Sequence, residues 1–351
     1  MTAPGLVTLG IETSCDECAA AVVHRGRILS NIVATQIPVH ARWRGVVPEL
    51  ASRMHTEWIY GVAEEALKAA GAGPADVEGV AATARPGLLG SLLVGLHFAK
   101  AFAWARKLPF IAVDHLLAHL YAFRLRYSDG EEGPPPYPFI GLLVSGGHSV
   151  ICRAAAFDGV TVLGTTIDDA VGEAFDKTAK YYGFGYPGGA AIDRLARRGD
   201  SEAFAFPLPN LYKLDRQGRD HRYDLSYSGL KTAVVNQLEQ FRRKERPEAA
   251  DIAASFQKAA VEILLRPLLR AVEDTGIRVI VAGGGVAANS YLRARLAEHP
   301  EPRVIFPPPE LCGDNAAMVA GIGEQYLLRG DRSPLNAPAS SRVRAFRKQY
   351  P

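Results

Sequence analysis

His115 and His119 stand four positions apart, with Leu116, Leu117 and Ala118 between them. On an α-helix this spacing projects both imidazoles from one face, where they can share a metal ion. A pair of ordinary core or surface histidines is the competing reading. No glutamate follows the first histidine, so the H-E-x-x-H general base of zinc proteases is missing. A cation held here needs a third ligand from elsewhere. Asp314, at the start of the last expected helix, is the candidate, although an N-cap role suits it almost as well.

Three turns at expected strand ends could approach an anion: Thr13-Ser14-Cys15-Asp16, Ser145-Gly146-Gly147-His148 and Gly283-Gly284-Gly285. Glycine lets the backbone come close, and successive amides can form a concave anion site. None has the Gly-Lys-Ser/Thr ending of a P-loop or the spacing of a dinucleotide fingerprint. Taken together they suit a nucleotide enclosed between two lobes, phosphates on the hairpin turns and adenosine at the third motif. Four acids fall between Asp168 and Asp176. A solvated helix would account for them, but Phe175 and the following YYGFGYPGG suggest a cleft wall, with Asp176 accepting from ribose hydroxyls. Cys15 and Cys18 have C-x-x-C spacing without a second pair, so turn packing is preferred to a zinc or redox role.

The elements that must position these residues follow a repeated order. Apolar runs at 6–11 and 18–23, separated by turns at 12–17 and 25–26, predict a hairpin meander. A helix over 48–71, a strand at 77–83, a helix over 89–106 and a strand at 110–113 follow, with Asp114 placed to cap the next helix. Residues 129–138, DGEEGPPPYP, read as the linker. The opening pattern then returns: strands at 139–144 and 149–154, with turns at 145–148 and 158–159. Later come a strand at 279–282, a helix from about 289 to 298, a strand at 303–306, a last helix from 314 to about 328, and a tail extended over the surface. Two halves that begin alike predict a duplicated α/β architecture. We expect an N-terminal lobe over 1–130, with 311–351 packing back on it, and a C-terminal lobe over 131–310.

The 351 residues suit two domains, and their 48% apolar and 22% charged content is ordinary for a soluble protein. A net charge of +3 permits nucleic-acid binding without arguing for it. Basic residues cluster at Arg42, Arg44 and Arg53, at Lys213, Arg216, Arg219 and Arg222, and at Arg242, Arg243, Lys244 and Arg246. The most apolar stretch, 88–105, is interrupted by Ser91, His97 and Lys100 and reads as a buried helix rather than a membrane span. No secretory signal is readable and four scattered cysteines make no disulfide framework, so a reducing cytoplasm is expected.

Nine segments in collinear order resemble the tRNA N6-adenosine threonylcarbamoyltransferase family over nearly the whole chain. They are GIETSCDE at 10–17, GVVPELASRMH at 45–55, ARPGLLGSLLVG at 84–95, LLVSGGHS at 142–149, IDDAVGEAFDKTAK at 167–180, YPGG at 186–189, SYSGLKT at 226–232, AGGGVAAN at 282–289 and CGDNAAM at 312–318. The resemblance implies the actin/hexokinase/Hsp70-like (ASKHA) two-lobed fold. It implies transfer of a threonylcarbamoyl group from threonylcarbamoyl-adenylate to N6 of adenosine 37 of tRNA, with release of AMP. It implies one Fe2+ per subunit, or Zn2+ in some preparations, on His115, His119 and Asp314. Substrate-binding positions carry over to Leu143, Val144, Ser145, Gly146, Gly147, Asp176, Gly189, Asp193 and Asn289. It also implies two smaller partners, a shortened paralogue (TsaB) and an ATPase (TsaE). Adenine N6 must lose a proton as the new bond forms, and Asp16, or else Glu17, in the first turn could accept it. This chain departs from the family where Cys18 replaces the usual threonine, which bears on packing rather than on the fold.

Three rival readings remain at the level of sequence. A metalloprotease lacks its glutamate. A kinase or chaperone of the same fold would use acidic residues around magnesium, where a histidine pair stands here. A non-catalytic scaffold would not keep the full set of metal and nucleotide motifs.

Overall fold

Strands β1 (Thr8–Glu12), β2 (Glu17–His24) and β3 (Arg27–Thr35) form an antiparallel meander. The small and β-branched residues of β1 and β2 are buried on both faces, which is why no polar alternation marks them. A computed structural model describes residues 5–43, 45–128, 137–211, 214–215, 218–243, 249–342 and 348. The expected linker at 129–138 falls mostly outside them.

After the meander come helices α1 (Ile37–His40) and α2 (Pro48–Ala69), strand β4 (Gly79–Arg85), helix α3 (Leu89–Arg106), strand β5 (Phe110–Asp114) and helix α4 (His115–Tyr121). Strands β4 and β5 run parallel to β1, completing a sheet of order β3-β2-β1-β4-β5. The second half opens with β6 (Phe139–Val144), β7 (Ser149–Ala154) and β8 (Val160–Thr165), again antiparallel. Helices α5 (Val171–Tyr182), α6 (Gly188–Ala196), α7 (Ser228–Arg243) and α8 (Ala249–Thr275) follow. Then come β9 (Val279–Gly283), α9 (Ser290–Ala297), β10 (Arg303–Ile305), α10 (Pro309–Cys312) and α11 (Ala316–Arg329). The second sheet has the order β8-β7-β6-β9-β10, with β9 parallel to both β6 and β10. Each half is thus the same motif, a three-stranded meander whose first strand pairs with a parallel fourth. The expected duplication is present in the topology.

The chain divides into two compact units. Unit 1 comprises Met1–Pro135 with Pro307–Ala345, and unit 2 comprises Pro136–Phe306 with Phe346–Pro351. The end of the chain differs from expectation. The segment 311–351 does not belong wholly with the first half, because the Lys348 ammonium donates to the Asp224 carboxylate and the Asp220 carbonyl, both in unit 2. The earlier tail behaves as expected: Ser333 N–H donates to Phe110 O and Ser340 N–H to Ala84 O without forming helix or strand.

In unit 1, Leu9, Ile11, Val22, Val80 and Leu96 are buried in one core. Each such side chain contributes roughly 1.5–3 kcal/mol by leaving water. Helix α11 lies so close to β1 that a Cβ at Gly10 would stand 2.5 Å from Ala316 O and 2.6 Å from Ala320 N. That approach fixes the N-terminal end of α11, and with it Asp314, against the first strand.

Candidate functional site

Asp114, at the end of β5, turns the chain into α4: its carboxylate accepts from the backbone N–H of Leu116 at 3.0 Å and of Leu117 at 3.4 Å. The cap sets the phase of this seven-residue, fully buried helix. Both imidazoles therefore leave the same face, with ring centroids 4.5 Å apart and planes 85° to one another. Asp314 arrives from the loop before α11. Its Oδ1 lies 3.0 Å from His119 Nε2 and 3.4 Å from His115 Nε2. One donor atom from each of the three falls within 4.8 Å of the others. Asn315, rather than Asp314, caps α11, its side-chain oxygen accepting from Met318 N–H. The N-cap alternative for Asp314 is thereby removed, and its carboxylate is aimed at the histidines.

Glu12, at the end of β1, was not singled out in the sequence as a functional residue. It is fully buried, and its carboxylate receives the Thr83 hydroxyl, the Ser14 N–H and His115 Nδ1, the last at 3.0 Å. A carboxylate on the outer nitrogen of an imidazole fixes the ring's tautomer and orientation and raises its basicity as a metal ligand. The only signal available was a lone acid inside an apolar run, which has to find a partner if the strand is buried.

Carboxylates dominate the electrostatics of the cluster. Burial alone would lower the His115 pKa, but the Asp314 and Glu12 carboxylates override it and push the imidazole up to about 9. Burial would raise Glu12, but His115 beside it, by charge and by hydrogen bond, holds it below the usual carboxylate range. His119 is lowered by burial and by its cationic neighbour, so it stays neutral. Its Nδ1 is buried with no hydrogen-bond partner among the described residues. Two buried imidazoles and a carboxylate that converge, with Glu12 on the outer nitrogen of one ring, form a donor set that fits a divalent transition metal.

Asp16 and Glu17 sit in the adjoining turn. Asp16 is buried, and its carbonyl accepts from Gln36 N–H at 3.0 Å. Burial, with Asp314 and Asp16 as negative neighbours, raises Glu17 to about 9, so it holds its proton at neutral pH. Cys15 and Cys18 are free thiols. Burial pushes both upward, Cys18 to about 12, so neither offers a thiolate. Cys18 is buried in the unit 1 core, which matches the packing role expected of it.

In unit 2, Leu143 and Val144 have wholly buried side chains, so only their backbone can border a ligand. A Cβ at Gly284, whose φ is +88°, would stand 2.4 Å from Val144 O, and one at Gly172 would stand 2.5 Å from Ser145 O. These two glycines bring β9 and α5 against the Ser145–Gly147 turn. A Cβ at Gly146, Gly147, Gly189 or Gly285 would meet nothing within 4 Å, so open space lies beside each. Asp176 is already engaged, accepting the Gly188 N–H at 2.7 Å. Asp193 accepts from the N–H and the hydroxyl of Ser290, next to Asn289, which caps α9 and donates to Gln257. Of the four acids of the 168–176 stretch, Asp169 and Glu173 share Lys177, while Asp168 and Asp176 have other partners. Asp168 receives the Ser226 hydroxyl and Tyr227 N–H, and Asp169 pairs with Lys177 and Lys231. Arg219 and Arg222 of the middle basic cluster pair with Asp215 and Asp220, while Arg44, Lys213, Arg216, Lys244 and Arg246 lie outside the described residues, as do the side chains of Arg242 and Arg243.

Fold and glycine turns together define an actin/hexokinase/Hsp70-like (ASKHA) protein. Solved structures agree on the fold. The HypF protein of T. kodakarensis superposes with a TM-score of 0.59 at 13% identity, over 92% of this chain and 48% of that one. The activator of 2-hydroxyisocaproyl-CoA dehydratase from Clostridium difficile, solved with bound ADPNP, superposes with a TM-score of 0.50 at 13% identity over 93% and 99%. A family model described as tRNA N6-adenosine threonylcarbamoyltransferase matches residues 27–321. A curated relative of that name from Treponema denticola is 60% identical over 343 residues, 97% of this chain and 98% of its own. The chain belongs to the tRNA N6-adenosine threonylcarbamoyltransferase family. Among the described residues no helix is long and apolar enough to cross a membrane.

Proposed function

We propose that this chain transfers the threonylcarbamoyl group of L-threonylcarbamoyl-adenylate to N6 of adenosine 37, in tRNAs reading codons that begin with A, with release of AMP. The observation that carries this reading is the convergence of His115, His119 and Asp314 within 4.8 Å in a chain of this family. One Fe2+ per subunit is the proposed ion, with Zn2+ able to replace it. When bound, it supplies Lewis acidity to the oxygens of the substrate. The protein's own work is positional and protonic. Glu12 holds His115 in one tautomer, and the Asp114 cap and the Asn315 cap fix the helices that present the three ligands. The backbone of 143–147, with the open space at Gly146, Gly147 and Gly189, receives the adenylate. Asp176, Asp193 and Asn289 fix the starts of α6 and α9 by accepting from Gly188, Ser290 and Leu292 N–H.

In the transfer, the N6 lone pair attacks the carbamoyl carbon, the bond from that carbon to the phosphate oxygen breaks, and AMP leaves with the electron pair. The N6 proton passes to Asp16. Glu17, holding its own proton, is a poor base at neutral pH and serves as a hydrogen-bond donor in the same turn. Work with a smaller paralogue subunit and an ATPase subunit in the cytoplasm is part of the proposal. The test is reconstitution from purified proteins with labelled threonine, bicarbonate, ATP and unmodified tRNA. Omission of this chain should abolish the labelled nucleoside, and labelled nucleoside formed without it would refute the reading.

A further inference from the structure

The segment GVVPELASRMH at 45–55 has no part in the chemistry so far, yet it encloses a buried polar chain. Gln36, His40 and His55 are all fully buried. Val47 N–H stands 3.3 Å from His40 Nδ1, and His40 Nε2 stands 3.1 Å from Gln36 Oε1. Gln36 Nε2 lies 3.4 Å from His55 Nδ1, and His55 Nε2 lies 2.9 Å from the carbonyl of Cys15.

The two ends of this chain fix its direction. A backbone N–H can only donate, so His40 Nδ1 must be bare and Nε2 must carry the hydrogen. A carbonyl can only accept, so His55 Nε2 must carry its hydrogen and Nδ1 must be bare. Gln36 Nε2 also faces the Ala51 carbonyl at 3.3 Å, which places the amide nitrogen, not its oxygen, on the His55 side. Every donor then meets an acceptor only if both rings are neutral. In addition the Gln36 N–H donates to the Asp16 carbonyl at 3.0 Å. Two consecutive carbonyls of the turn, Cys15 and Asp16, are therefore held from one glutamine and one histidine.

We propose that Gln36, His40 and His55 form a one-directional hydrogen-bond relay that positions the Cys15–Asp16 turn, and that acid opens it by protonating His55. His55 is a positioning residue: it acts through the backbone that carries Asp16, and its effect on catalysis rests on the role proposed for Asp16. The titratable groups facing it are Glu12, Asp16 and His40, and the Cys15 backbone carbonyl is its acceptor. Burial lowers its pKa despite the bond to Cys15 O and the two carboxylates, so the relay is intact at neutral pH. A cationic His55 would turn an Nδ1–H toward the Gln36 amide hydrogens and break the chain.

Long-range 1H–15N correlation on the full chain, with 15N in histidine only, reads both tautomers without reference to activity. Both rings are expected neutral and Nε2-protonated at pH 7.5. A cationic ring, or an Nδ1–H form of either, overturns the relay. In transfer assays, His55→Phe is expected to lower kcat by about 10- to 100-fold, the scale of a displaced catalytic group, with bound metal and the KM for adenylate unchanged. His55→Gln, which restores a donor to Cys15 O, is expected to recover most of that loss and to flatten the acid limb of the kcat profile. A normal kcat in His55→Phe, or an unshifted acid limb in His55→Gln, overturns the positioning role. A failure of the proposed transferase activity would show in the wild-type assay and would leave the tautomer pattern as it is.

Discussion

His115 Nδ1 lies 3.0 Å from Glu12 Oε2, a contact between residues 103 positions apart that joins the first strand to helix α4. The bond leaves Nε2 as the nitrogen facing Asp314. Glu12→Gln keeps the shape but replaces the acceptor by a neutral amide. It should weaken metal affinity by about 10- to 100-fold, read by competition against a chelator of known affinity. An unchanged affinity would show that the contact only packs the strand.

Much of this site was legible because helical periodicity is a local property. His115 and His119 announce a shared face from their spacing alone, and Asp114 announces the cap that sets its phase. Glu12 was not legible, since its role depends on where β5 and α4 deliver His115, and nothing near it in sequence says so. Asp314 was ambiguous for the same reason: only the structure shows that Asn315 takes the cap. The duplication of the sheets could be read from the two meanders. The partners of Asp168, Asp169 and Asp193 could not, because they come from distant segments around Ser226, Lys231 and Ser290.

Glu17 gives the fold a pH dependence of definite sign. Its pKa rises from 4.5 to about 9 on folding, so the folded chain holds a proton that the unfolded chain releases. Stability from this group is present below pH 4.5 and is lost as pH rises through 9. In chelator-treated protein, Glu17→Gln should therefore leave Tm near the wild-type value at pH 5 and raise it by several degrees at pH 9. Thermal unfolding at the two pH values checks this, and an equal difference at both would contradict it.

Gly188 and Gly189 are neighbours with opposite demands. A Cβ at Gly188 would stand 2.6 Å from Asp176 Cα and 2.7 Å from Phe175 O, backbone that cannot yield cheaply. Gly188→Ala should destabilise unit 2 by about 1–3 kcal/mol. A Cβ at Gly189 meets nothing within 4 Å. Gly189→Leu should leave denaturant stability within about 0.5 kcal/mol while weakening adenylate binding, measured by calorimetry with a non-transferable analogue. Normal binding by Gly189→Leu would remove that open space from the proposed adenylate site.

Asp314 is the carboxylate of the three residues proposed to hold the ion. Asp314→Ala should retain the fold, since Asn315 still caps α11, yet purify with less than a stoichiometric metal ion by elemental analysis. A full complement of metal in this variant would place the ion elsewhere.

The most direct measurement is the single-turnover rate of transfer from purified threonylcarbamoyl-adenylate to unmodified tRNA, by chelator-treated protein before and after one equivalent of Fe2+. A dead treated enzyme, revived by one equivalent in the wild type but not in Asp314→Ala, is the expected result. Full transfer by metal-free protein would contradict the role given to His115, His119 and Asp314.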